Sequence, residues 1–158
     1  MMSNAGSIPS MPNPNDRIMA ALSHASIILP FWGIIASIVI WVTQRDKSPF
    51  VAFQALQALA YHLTAMVAGF VGMVCYMCSF LAMFLFIPLV ASTADPNSAE
   101  LPPVFAFGFF APFLVFGAIF LGYFAFAAYG LFGAVSTLQR KDFRYAVLGA
   151  RLKSFLQK

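Results

Sequence analysis

Three groups of side chains in this sequence are of types that could do chemistry. Cys75 and Cys78 stand one helical turn apart, His24 and His62 are the two histidines, and Gln54, Gln57, Tyr61, His62 and Thr64 form the most polar stretch inside an otherwise apolar run. The cysteines would need a polarising environment to act as thiolates, and a zinc site would need further ligands at suitable spacing. Their neighbours are Met73 and Met77, so small polarisable packing residues are the expectation. The histidines could face a haem as axial ligands, or they could hydrogen-bond across helices. The Gln54 to Thr64 stretch is a candidate polar groove, with interfacial or helix-linking side chains as the alternative.

Recognisable catalytic patterns are missing. The sequence has no glycine-rich phosphate loop with its lysine, no Ser-x-x-Lys pair, no His-Glu-x-x-His and no clustered carboxylates. No Asp, Glu, Lys or Arg lies inside the long apolar runs, where an ionisable group would mark an ion path or a catalytic site. A proton-coupled transporter and an aspartyl-type membrane enzyme are thereby disfavoured. The expectation is a non-enzyme with no catalytic residues, no metal ligands and no bound cofactor. An aromatic-lined quinone or lipid site among the nineteen phenylalanines, dense from Phe105 to Phe126, is the weaker alternative.

The elements that must position these residues follow from composition. Of 158 residues, 61% are hydrophobic and 9% charged, against about 25% charged in a soluble domain. Residues 1–15 are polar, hold three prolines and lack a basic start, which predicts a disordered leader without the marks of a secretory signal. Residues 16–158 are read as one membrane domain, with apolar segments at 18–43, 49–90 and 104–135 and a basic amphipathic tail at 140–158. Pro30 and Gly33 should kink or break the first segment, leaving either one kinked span or a re-entrant hairpin. Ser48 followed by Pro49 is a helix start, serine as N-cap and proline at the first helical position. Pro112 is the expected kink of the last run, which is longer than a bilayer needs. Pairs of small residues four apart, Ala68 and Gly72, Ala118 and Gly122, Gly130 and Ala134, permit close helix contact. The fold class is all-α, a polytopic helical membrane protein of about four helical segments with two long spans.

Charge sets the orientation. Arg17, Arg45 and Lys47 precede the long runs, six more bases follow from Arg140 onward, and none lies between. The positive-inside rule puts the Arg45 turn and the basic tail in the cytoplasm, and two spans between them put the acidic Asp95 to Glu100 loop on the other side. If the first segment is a hairpin, Arg17 obeys the same rule. Without the interleaved surface aromatics of a nucleic-acid reader, the bases suit lipid headgroups. Expected partners are the lipid bilayer and a membrane protein or second copies of the chain, with no nucleic acid.

The stretch from Trp41 to Leu59, WVTQRDKSPFVAFQALQAL, resembles the family of the twenty-kilodalton subunit of the chloroplast inner-envelope import translocon (Tic-twenty-like), together with a bacterial membrane-protein domain family of unknown function grouped beside it. Ala20 to Ser26 is similar to the start of such bacterial proteins, and Phe143-Arg144-Tyr145 to the close of their last segment. The chain departs from the pattern at Ala52 and Gln54, where members commonly carry a basic residue and a histidine. The resemblance implies a four-helix fold in the bacterial inner membrane and, for plastid members, a part in protein translocation. The expected function is therefore a structural or accessory membrane subunit, with a passive channel or small-molecule carrier as the competing class.

Overall fold

The computed structural model describes residues 12–93, 103–139, 141 and 143–146, and every regular element among them is helical. Helix α1 covers Pro14–Ala25, a single 3-10 turn follows at Ser26–Ile28, and α2 covers Pro30–Gln44. The long helices are α3, Pro49–Thr93, and α4, Pro103–Leu138. The expected leader up to residue 11, the acidic loop at 94–102 and the tail at 147–158 lie outside the described residues.

Each boundary has a local cause. Helix α1 begins at Pro14, inside the stretch assigned to the leader, because the Asn13 side chain accepts the Asn15 N–H and Pro14 occupies the first turn. The first apolar segment breaks at Leu29, which is extended at φ −105° and ψ 96°. The following Pro30 disfavours α geometry there. Helix α3 starts as its residues dictate, with the Val51 N–H donating to Ser48 Oγ at 3.4 Å. Pro112 does not interrupt the assigned helix, and neither does Pro88 in α3. Apolar membrane helices tolerate proline because their neighbours and local adjustments satisfy the freed carbonyl.

Helices α3 and α4 have 45 and 36 residues, well beyond the roughly 20 that cross a bilayer. In a soluble protein such apolar helices would be buried. Here none of the most apolar stretch of α3 is buried, and only 6% of that of α4. Phe70, Leu85, Phe107 and Leu121 each expose 70% or more of their surface. Lipid is the solvent that makes this arrangement stable, and the chain is a helical membrane protein.

Contacts gather into two units, one formed by Met1–Leu63 with Ala127–Lys158, the other by Thr64–Phe126. In the second unit, α3 and α4 pair antiparallel. Tyr76 meets Phe116 at 5.8 Å between ring centroids, a Cβ on Gly72 would come 2.9 Å from Ile119, and one on Gly108 would come 2.9 Å from Phe86. In the first unit, α1 and α2 form an antiparallel hairpin. Ser37 Oγ donates to the Ser23 carbonyl at 3.2 Å, and Gly33 lies against the Ser26 carbonyl where any Cβ would collide. With 12 and 15 residues at about 1.5 Å each, both arms are shorter than the ~30 Å hydrocarbon core.

Candidate functional site

The first turns of α3 bury a single face, Val51, Gln54, Ala55, Ala58 and Tyr61, at the i, i+3, i+4, i+7 spacing of one helix stripe. Unlike the stripe of a soluble helix, this buried face mixes small residues, Ala55 and Ala58, with polar ones, Gln54, Gln57 and His62. Ser23, His24, Ser37, Gln54, Gln57, His62 and Thr137 of this unit are buried, while Phe31 and Trp32 of α2 stand 72% and 68% exposed. With lipid outside, the polar groups must find partners inside.

They do so around the segment that follows α4, which has no regular secondary structure at Phe143 to Tyr145. The Phe143 carbonyl accepts the side-chain N–H groups of both Gln54 and Gln57, each at 3.2 Å. Since a carbonyl can only accept, both amide nitrogens are fixed on that side and both amide oxygens on the other. Gln57 Oε1 accepts the Tyr145 backbone N–H at 3.3 Å. Gln54 Oε1 faces His24 Nε2 at 3.0 Å, so Nε2 carries the proton and donates. His24 Nδ1 is then the acceptor for the Tyr145 hydroxyl at 3.1 Å. One backbone carbonyl thus determines the amide orientations, the histidine tautomer and the direction of the tyrosine hydrogen bond.

Aromatic packing closes the same place. Tyr145 stacks on Tyr61 at 4.1 Å and 11° between planes, and Phe143 meets His24 and Phe132 edge-on. Gly133 makes room for Phe143, whose ring would lie 2.7 Å from a Cβ there. Gly130 is filled likewise by Ile27, at 2.7 Å. Burial holds the His24 imidazole down to a pKa of about 4; the Gln54 hydrogen bond opposes that shift and His62 adds to it. Burial pushes the Tyr145 phenol up, helped by Tyr61 and Tyr129. Both groups are therefore neutral across the physiological range.

A second, smaller cluster lies on the α1–α2 hairpin. Ser37 Oγ is 3.2 Å from His62 Nδ1 while donating to the Ser23 carbonyl, which also accepts from Ser26 Oγ at 2.8 Å. His62 Nε2 is buried and is the one such side-chain atom without a hydrogen-bond partner among the described residues. At the far end of α1, Ser48 Oγ donates to Asp16 Oδ2 at 3.0 Å, tying the start of α1 to the start of α3.

Of the candidate groove residues, Gln54, Gln57, Tyr61 and His62 come together in the first unit, whereas Thr64 is exposed and belongs to the second. Both ring nitrogens of His24 are taken by Gln54 and Tyr145, so the two histidines do not frame a haem. Cys75 and Cys78 are exposed in the second unit, and no group of three or more metal-ligating side chains occurs among the described residues. Of the small-residue pairs, Gly72 and Gly130 lie at close contacts, Ala134 is buried, Gly122 has open space, and Ala68 and Ala118 are exposed. Sequence reasoning missed Ser23, Ser37, Phe143 and Tyr145 as parts of this network. The alternation aromatic, base, aromatic at Phe143 to Tyr145 matches the alternation of burial there, buried, exposed, buried, and it was the available signal.

A model of the magnetosome magnetite crystal formation protein family (MamF/MmsF) matches residues 15–152. No curated protein and no solved structure matches the chain. Nothing in these comparisons points to the import-translocon subunit.

Proposed function

Because the chain belongs to the magnetosome magnetite crystal formation protein family, we propose that it serves magnetite formation as a non-enzymatic accessory subunit of the membrane where the crystal grows. The observation that carries this reading is the extent of the match, which begins within α1 and runs past the Phe143 to Tyr145 segment. The matched range takes in the hairpin, both long helices and the docked segment. A membrane subunit of this kind acts by organising lipid and partner proteins at the growth site.

In this reading α3 and α4 each cross the bilayer and the α1–α2 hairpin enters and leaves on one side. All bases then share the cytoplasmic face with the C-terminus, and the stretch holding Asp95 and Glu100 faces the opposite compartment. Partners are other membrane proteins or further copies of this chain, reached through the exposed apolar helix faces. Translocation, implied by resemblance alone, gains no support from the family match. A passive channel gains none either, since Gln54 and Gln57 at the polar start of α3 are bonded to each other and to the Phe143 to Tyr145 segment.

The test is deletion of the gene in a magnetite-forming host, with crystal size and number per cell measured by electron microscopy. Smaller or misshapen crystals, restored by the wild-type gene, are expected; unchanged crystals would overturn the proposal. Mild-detergent pull-down with mass spectrometry identifies the partner or the oligomer.

A further inference from the structure

The sequence of the first unit holds every base of the chain, with Asp16, Asp46 and Asp142 as its acids, while that of the second holds only Asp95 and Glu100. Two sets of contacts gather the described bases at one end of that unit. The Ser48 to Asp16 hydrogen bond brings Arg17, at the start of α1, beside the turn that carries Arg45 and Lys47. The amides of Gln54 and Gln57, six and nine residues into α3 from Ser48, hold the backbone of Phe143 and Tyr145. At 1.5 Å per residue this is roughly 9 to 14 Å along the helix, and it brings Lys141 and Arg144 to the same region.

The surroundings of these bases decide what they meet. Lys47, Lys141 and Arg144 are exposed, and Arg45, paired with the exposed Asp46 at 3.5 Å, lies over the Trp41 ring at 5.9 Å with its side chain 55% exposed. Next to them stand exposed apolar side chains, Ile18 beside Arg17 and Val42 one turn before Arg45, each about half exposed. A nucleic acid or an acidic protein would leave those apolar groups in water. A lipid boundary takes both, the charged heads at the phosphates and the apolar stems and indole in the interface.

We propose that this basic end binds anionic phospholipid headgroups, and that the docking of Phe143 and Tyr145 on α3 positions Lys141 and Arg144 for it. Gln54, Gln57 and His24 are positioning residues in this account, since they touch the segment and not the lipid. The proposal rests on the membrane reading and is independent of the role in crystal formation, so its failure leaves that role standing.

The experiment uses the purified full-length protein in mild detergent with equal amounts of phosphatidylglycerol and phosphatidylcholine, retained lipid being counted by native mass spectrometry. Phosphatidylglycerol should be retained severalfold over phosphatidylcholine at low salt, and the preference should fall as sodium chloride rises. Each base removed should lower it in part, and most of it should be lost in a variant combining R17Q, R45Q, K47Q and K141Q. Tyr145→Phe, which keeps the ring and removes the hydroxyl, should lower the preference partway with helicity by circular dichroism unchanged. If the fourfold variant does not fold, K47Q with K141Q at exposed sites takes its place. Equal retention of the two lipids by the wild type, or a preference that survives neutralisation, would overturn the proposal.

Discussion

At the scale of single residues, the two histidines contribute unequally to stability although both are buried. His24 has a partner on each ring nitrogen, so His24→Phe leaves the buried Tyr145 hydroxyl without its acceptor. A loss of about 1–3 kcal/mol is expected, the cost of a stranded buried polar group. His62 has one partner, and Ser37 keeps its bond to the Ser23 carbonyl without it. His62→Phe should therefore cost under about 1 kcal/mol, because the stranded Nε2 goes with the side chain. Thermal unfolding of the two variants in one detergent checks the order, and a larger loss at His62 would contradict it. Acid should act through His24 as well. Its folded pKa of about 4 lies below the ordinary 6.5, so the unfolded chain takes up the proton first as pH falls. The stabilisation is complete above pH 6.5 and is lost between 6.5 and 4, by about 1.4 kcal/mol per pH unit. His24→Phe should flatten the stability profile across that window.

At the scale of elements, the hairpin depends on one missing Cβ. Gly33 faces the Ser26 backbone carbonyl, an atom that cannot swing away, so Gly33→Ala must push α2 off α1 and weaken the Ser37 to Ser23 bond. A cost of about 1–3 kcal/mol is expected, against little or none for Gly122→Ala, where a Cβ meets open space. The comparison, by thermal unfolding, fails if both alanines behave alike. The hairpin also shows what the sequence could disclose. Pro30 announced the break, because proline restricts the residue before it whatever the tertiary context. Ser48 and Pro49 likewise announced the start of α3 through local capping. The burial of Gln54 and Gln57 was only half legible: their helical spacing marked a shared stripe, but the partner that satisfies them lies 86 and 89 residues away. No local rule reaches that far. At Gly122 a Cβ would meet open space within this chain, since small-residue spacing shows where helices can approach and not where they do.

At the scale of the whole molecule, the charge pattern and the hairpin together make a topological prediction. If α1 and α2 formed one kinked span, Arg17 and Lys47 would lie on opposite faces, and the positive-inside rule would be broken by one of them. In the proposed topology two arms antiparallel to each other, each too short to cross, return the chain to the side it came from. Asp16 hydrogen-bonded to Ser48 holds the two ends of that excursion together. Replacing Cys75 and Cys78 by alanine gives a cysteine-free background, since these are the two cysteines of the chain, and single cysteines at Asn13, Lys47, Ser98 and Ala146 then report the sides. In intact cells a membrane-impermeant maleimide should label position 98 alone if the surrounding face is the outer one. Positions 13, 47 and 146 should react only after the membrane is opened. Labelling of position 13 together with 98 would show a third crossing between Asn13 and Lys47, and would require the α1–α2 contacts to be rebuilt as one long helix through Leu29. Pro30 stands against that rebuilding, because continuing the α geometry through Leu29 would set the proline ring against the residue before it.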